Sequence, residues 1–276
     1  MIQKLKLSSL ALGSMVKKEL IIMTRYPVNF LVSFVTSFIM VSMYIFVTLM
    51  FAPQRSEGSL AGVGGVGMFG FFLSTFFSST LWEMASGIRW EQYQGTLECL
   101  YLTPASKFSS LVSKVIPNFI WTGFNSLAML LFAQALFGRL PFHNLGVAAY
   151  IFTMTIAGIF GFGFAFAAFT LLVKESAILM ANFLQFSLYI LCAMFFPFSA
   201  LPTFLLRISR LIPLSYCIDA FRSTLMGYPP GFPELLPIEQ ELIIITAFGI
   251  AMPLLGYLLY KAAERKARIE GSLGEF

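Results

Sequence analysis

Six runs of apolar residues dominate this chain, and each is long enough to cross a bilayer. They lie at about Val28–Phe51, Ala61–Trp82, Ser110–Phe137, Val147–Val173, Ala177–Phe198 and Glu239–Tyr260. Each holds at least about 20 residues, which at about 1.5 Å per residue covers roughly 30 Å of hydrocarbon. Lipid offers the main chain no hydrogen-bond partners, so runs of this kind fold as helices. Charged residues make up only 11% of the chain, against about 25% in soluble domains. The expected fold is all-α and polytopic. Residues 1–276 read as one transmembrane domain with little room for a soluble one.

Lysine and arginine set the orientation. Six spans place both termini on one side. With the termini inside, 13 of the 18 basic residues fall on the inner side. The outer side holds Arg55, Arg139, Arg207, Arg210 and Arg222. Both termini are therefore expected in the cytoplasm, with the protein in the plasma (inner) membrane. The same clustering accounts for the net charge of +5, so membrane lipid is the expected partner and nucleic acid is not. Lys114, near the inner end of the third span, can reach headgroups by snorkelling.

Residues 8–25 read differently. Leu12, Met15, Val16, Leu20 and Met23 recur at helical spacing, with Lys17, Lys18 and Arg25 among them. That pattern suits a helix lying in the cytoplasmic interface. The first 27 residues do not resemble a cleavable signal, because the stretch Leu7–Met15 is short and Lys17, Lys18 and Glu19 follow it.

Common catalytic and metal motifs are missing. Cys99, Cys192 and Cys217 are scattered, with no CxxC. His143 is the single histidine, and one histidine cannot build a zinc site. No GxxxxGK[ST] occurs, so the chain carries no P-loop for ATP. Gly62–Gly67 reads GVGGVG, which formally fits GxGxxG. No strand precedes it and no βαβ unit surrounds it, so its small residues point to close helix contact or a loosened helix end. In the fourth span Ala157, Gly161 and Ala165, flanked by Gly163 and Ala167, form a smooth ridge for packing against another helix.

Two segments stand apart. The first is Arg89–Pro104, RWEQYQGTLECLYLTP, a charged and then amphipathic island between the second and third spans. Gly95 and Thr96 can open a short helix, with Thr96 as a cap. Leu97, Leu100 and Tyr101 share a face suited to a hydrophobic cleft. Glu91 and Glu98 can meet basic groups at its rim, and Pro104 ends the piece. The second is Ser199–Ile238, rich in proline yet apolar. Pro213 divides it into two expected short helices, Thr203–Leu211 and Leu214–Met226. Together, 199–227 reads as an outer hairpin re-entering the membrane. Asp219 and Arg222 are three residues apart and so placed to pair on one helix face.

These two segments resemble the type-2 ABC exporter permeases. The first matches that family's cytoplasmic-loop pattern at Arg89, Glu91, Gly95, Thr96, Leu97, Glu98, Leu100, Thr103 and Pro104. The second matches its outer motif at Leu211, Pro213, Leu214, Tyr216, Asp219 and Arg222. Ile212 departs from the family's more usual asparagine. The resemblance implies the membrane-spanning permease of an ATP-driven exporter. It implies two copies of the permease, or a copy and a close homologue, with two cytosolic ABC ATPase subunits. Gln94–Leu102 becomes a coupling helix seated in the ATPase, with Arg89 and Glu91 just before it. Pro213, Tyr216, Asp219 and Arg222 become an outer gate. No cofactor is expected on this chain; ATP and Mg belong to the partner. The cargo is expected to be amphipathic: drug-like, lipid or a lipid-linked glycan. The 32 phenylalanines and 14 methionines suit a greasy lining, although facing lipid explains them as well. The rival reading is an ion- or proton-coupled carrier. It calls for ionisable groups near mid-membrane or repeated halves. Glu83, Glu175 and Glu239 lie instead at span ends, and no internal repeat is visible.

Overall fold

The computed structural model describes residues 27–51, 57–93, 107–137, 141–173 and 176–269, with single positions between 13 and 25. Among the described residues the chain is helical, with short turns between elements and no strand. The helices are α1 (Pro27–Phe51), α2 (Glu57–Tyr93), α3 (Lys107–Phe137), α4 (Leu145–Val173), α5 (Ala177–Leu191), α6 (Thr203–Ser209), α7 (Pro213–Met226) and α8 (Ile238–Ile269). Four hold a stretch long and apolar enough to cross a membrane: Gly65–Gly87, Val115–Ala135, Leu145–Leu171 and Ile238–Lys266. Shorter apolar stretches are Phe34–Tyr44 within α1 and Ala177–Leu191, the whole of α5.

Three of the expected boundaries move, the last span continuing from its expected end at Tyr260 to Ile269. The fifth span, expected over Ala177–Phe198, is a helix of 15 residues ending at Leu191. At about 1.5 Å per residue it reaches only about 22 Å. The chain then turns through Cys192–Pro197, and Ala193 takes a φ of 45°. The second helix shows the opposite change. Expected to end at Trp82, it continues unbroken to Tyr93, because Glu83–Tyr93 contains no proline to stop it. Arg89 and Glu91 therefore belong to the end of α2 rather than to a separate loop. Gln94–Pro104, with Gly95, Thr96, Leu97, Glu98, Leu100 and Tyr101, lies outside the described residues, as does most of the 8–25 segment. Within that segment Lys17 and Arg25 are helical and exposed.

α2 and α4 form the centre. Of the apolar stretch in α2, 67% is buried, against 17% in α8. The central contacts are largely aromatic. Phe72 stacks on Phe221 of α7 at 5.9 Å between ring centroids, and Phe76 meets Phe152 of α4 edge-on at 5.2 Å. Phe69, Phe77 and Phe164 are wholly buried. Many of the phenylalanines thus fill the interior. Others, such as Phe124, Phe183 and Phe186, face outward.

Polar pairs join neighbouring helices. The Thr75 and Ser126 hydroxyls are 2.8 Å apart between α2 and α3, and the Asn125 amide donates to Ser37 of α1 at 3.0 Å. The Trp82 indole donates to Gln185 of α5 at 3.0 Å, and Gln185 in turn donates to Tyr189 at 2.8 Å. In an apolar surrounding such bonds orient helices that hydrophobicity alone would leave free to slide.

The most extensive packing joins α4 to α8, and glycines make it possible. Gly161 lies against the Met252–Pro253 main chain, Gly158 against the Phe248 ring, and Gly256 against the Gly161 main chain. Gly161 of the small-residue ridge therefore packs within this chain on its last long helix, while the flanking Gly163 packs on Thr80 and Met84 of α2. Tyr150 and Thr246, both within the first three turns of their helices, add a hydroxyl–hydroxyl bond of 2.7 Å.

Candidate functional site: the helical hairpin

α6 and α7 form the hairpin, and Pro213 sits at the first turn of α7. That position requires no main-chain N–H, and the ring presets the helical φ. Gly227 ends the helix in a left-handed conformation, φ 76°, which glycine adopts without steric cost. The boundaries Thr203–Ser209 and Pro213–Met226 fall within two residues of those expected.

The hairpin tip reaches deep. Leu211, Ile212, Pro213 and Leu214 line a cavity of about 270 Å³ together with Phe77, Ile159, Phe162, Leu184, Leu188, Phe248 and Met252. Phe77, Ile159 and Met252 lie near the midpoints of the apolar stretches of α2, α4 and α8. The tip is therefore level with the middle of the long helices. The other end of α7 meets the α3–α4 connection, where the His143 N–H donates to the Leu225 carbonyl at 2.9 Å.

Most of α7 is buried, charged residues included. Arg222 is fully buried. Its guanidinium donates to the carbonyls of Ala193 at 2.7 Å and Phe196 at 3.0 Å, and lies 5.3 Å from the Phe198 ring centroid. The turn after α5 thus exists where an arginine can cap it. Asp219, also fully buried, accepts the N–H groups of Glu234 at 2.7 Å and Leu235 at 2.8 Å. Pairing between Asp219 and Arg222 was expected from their spacing. Instead the two reach in different directions and clamp different main-chain segments. Glu234 accepts from Phe198 N at 3.0 Å and Ser199 N at 2.6 Å. Glu241, fully buried in the first turn of α8, accepts from Leu236 N at 3.4 Å.

These four ionisable groups stitch α7 to the ends of α5 and α8. Hydrogen bonds offset part of the cost of burying them, although Asp219 Oδ1, Arg222 Nε and Glu241 Oε2 have no hydrogen-bond partner among the described residues. Glu234 and Glu241 escape a motif-based reading. Their signal in the sequence is the presence of carboxylates in an otherwise apolar outer segment, PELLPIEQEL.

Tyr216 donates its hydroxyl to the Arg210 carbonyl at 2.7 Å, bracing the turn between α6 and α7. Tyr216→Phe is expected to lower stability by about 1 kcal/mol, seen as a small drop in the melting temperature of the detergent-purified protein. Pro213 is exposed at the tip, so of the four expected gate residues three are buried struts and one marks the turn.

α2 supports the same region. Gly67 faces the Tyr44 ring and the Phe195 carbonyl, which a Cβ would approach to 2.9 Å. Gly70 faces the Met194 carbonyl. The glycines in the N-terminal half of α2 thus let the Cys192–Pro197 turn lie directly on that helix. Tyr44 donates to the Phe195 carbonyl at 3.3 Å.

A family model for ABC-2 type transporters matches residues 11–226. The match takes in α1 to α7 and leaves α8 outside it. No curated protein matches the chain. The family's domain is the transmembrane component of a transporter and works with ABC ATPase subunits rather than being the ATPase. With more than half the chain matched and apolar helices long enough to span a membrane, this is a multi-pass membrane protein and belongs to the ABC-2 type transporter family.

Proposed function

We propose that this chain is the permease subunit of an ATP-driven exporter, moving an amphipathic cargo out of the cytoplasm by alternating access. Two copies act with two cytosolic ATPase subunits that hold ATP and Mg. The chain crosses the inner membrane six times with both termini in the cytoplasm, α5 and its following turn making the fifth crossing. The coupling helix lies in Gln94–Leu102, with Leu97, Leu100 and Tyr101 in the ATPase cleft and Glu98 at its rim.

The observation that carries this reading is the unbroken course of α2. Near its outer end the helix packs against Phe221 of α7 and underlies the Cys192–Pro197 turn. It continues to Tyr93, directly before the proposed docking segment. Its 37 residues span about 55 Å. A rigid rod of that length can carry a push at the ATPase to the outer hairpin without a flexible joint between them. α7, held by Arg222, Asp219, Glu234 and Glu241, then moves as a unit with the turn that it caps.

Leu97→Asp and Glu98→Arg test the docking role. Both should weaken copurification of the partner ATPase at least about tenfold, as for a central interface residue, and reduce ATP turnover in reconstituted vesicles. Unchanged assembly with unchanged turnover would count against it. The buried carboxylates Asp219 and Glu241 are the observation favouring an ion-coupled carrier. Transport by the purified chain alone, driven by a proton gradient, would support that second reading.

A further inference from the structure

The buried Asp219 and Arg222 of α7 are held by main-chain groups of this chain, with Asp219 Oδ1 and Arg222 Nε left unpaired, whereas the outward side of α6 and its C-terminal turn carries two arginines. Arg207 and Arg210 are exposed. Among the described residues neither guanidinium makes a hydrogen bond or an ion pair. They lie three residues apart, so their side chains leave adjacent turns of the hairpin about 5 Å from each other. Arg210 immediately precedes Leu211, which lines the cavity level with the midpoints of α2, α4 and α8. Arg210 therefore sits near mid-membrane depth and Arg207 about one turn, roughly 5 Å, back from it along the hairpin, both exposed on this chain. At that depth a charge facing lipid is costly, and such groups face protein or a wet cavity.

A second copy of the chain has few carboxylates to offer them. Asp219 and Glu241 are fully buried and held by main-chain groups, Glu234 already accepts from Phe198 N and Ser199 N, and Glu57 and Glu239 lie in the first turns of α2 and α8, away from the midpoints of those helices. Glu83 lies toward the inner end of α2. Beside the arginines, Phe204 is 71% exposed and Leu211 81% exposed. Phe204, Arg207 and Leu211 follow helical spacing, so one stripe carries cationic and greasy groups together. An arginine pair presents planar forks that match phosphate oxygens, and the flanking aromatic and aliphatic groups suit an acyl chain.

We propose that Arg207 and Arg210 bind the phosphate-bearing head of an amphiphilic cargo midway across the membrane, with Phe204 and Leu211 against its tail. The assignment rests on the permease reading above and narrows its cargo to anionic amphiphiles.

The test uses the permease purified with its ATPase in phosphatidylcholine nanodiscs. Binding is followed by native mass spectrometry for dioleoyl phosphatidic acid, for dioleoylglycerol with the same tails and no phosphate, and for inorganic phosphate alone. Phosphatidic acid should bind at least about tenfold more tightly than either control. The double variant Arg207→Gln/Arg210→Gln should lose that preference, and Arg207→Lys/Arg210→Lys should keep part of it, since lysine retains charge without the bidentate fork. Equal binding of dioleoylglycerol, or a preference surviving in the glutamine variant, would overturn the proposal. So would inorganic phosphate binding as well as phosphatidic acid, which would mark a simple anion site. If the glutamine variant splits the complex into single permease chains, the arginines are an interface between copies and the proposal fails. Absence of a copurifying ATPase would instead defeat the permease reading, leaving the two failures distinct.

Discussion

Arg222→Met should destabilise the protein by about 3 kcal/mol and release the turn after α5. The guanidinium is wholly buried and is the donor to the Ala193 and Phe196 carbonyls. Methionine fills similar volume but donates nothing. The buried Ala193 carbonyl and the part-buried Phe196 carbonyl then lose a partner, at about 1–3 kcal/mol each, partly offset because a costly buried charge disappears. Arg222→Lys should fall between the two, since one ammonium cannot reproduce the planar fork. Asp219→Asn offers the contrast. An amide oxygen can still accept from Glu234 N and Leu235 N, so the loss should be only about 1 kcal/mol. Thermal unfolding in detergent measures all three. Arg222→Met melting no lower than Asp219→Asn would show that the arginine is not the strut described. Its functional counterpart is transport: with the turn freed from α7, cargo flux per ATP hydrolysed should fall even where the ATPase still docks.

Gly161→Leu should be more damaging still, preventing accumulation of folded protein. A Cβ at this position falls on the main chain of Met252 and Pro253, which cannot rotate aside as a side chain can. Overpacking that side chains can absorb costs about 1–3 kcal/mol, and a main-chain obstruction exceeds that range. The α4–α8 contact is the most extensive in the protein, and Gly256 faces the Gly161 main chain from the other side. The whole crossing must therefore open. Gly146→Leu is the control: it lies near the start of the same helix with nothing within 4 Å of its added Cβ, so it should change stability by less than about 0.5 kcal/mol. Comparing folded yield by size-exclusion chromatography decides the matter. Similar profiles for the two variants would mean that α4 and α8 are not in backbone contact.

These expectations share a mechanical picture. α4 and α8 form one tight pair, while α2 carries the hairpin at one end and leads toward the proposed docking segment at the other. The apolar faces of α1, α3 and α8 remain exposed, for example Val32, Leu131 and Leu254. Such faces suit lipid or a second copy, as expected of a membrane subunit.

Much of this architecture could be read from residue order. Long apolar runs imply helices because lipid leaves the main chain no other way to pair its polar groups. Pro213 divides the outer segment because a proline removes a helix hydrogen bond and clashes with the preceding turn, whatever surrounds it. The ridge of Ala157, Gly161 and Ala165 follows from helical period alone. Each of these is a local rule, applied to neighbours in sequence. Gly161 of that ridge meets α8, some 90 residues further along the chain, while its neighbour Gly163 meets α2, and no local rule selects either partner. The early end of α5 has a similar origin. Its residues remain apolar through Phe196, but Arg222, brought near by the hairpin, offers the following turn a donor that lipid could not supply. Asp219 and Arg222 sit at pairing distance along the helix, yet each is claimed by main-chain groups that only the folded chain brings within reach. Spacing told which residues stand on one face; burial and long-range main-chain contacts decided what each of them holds.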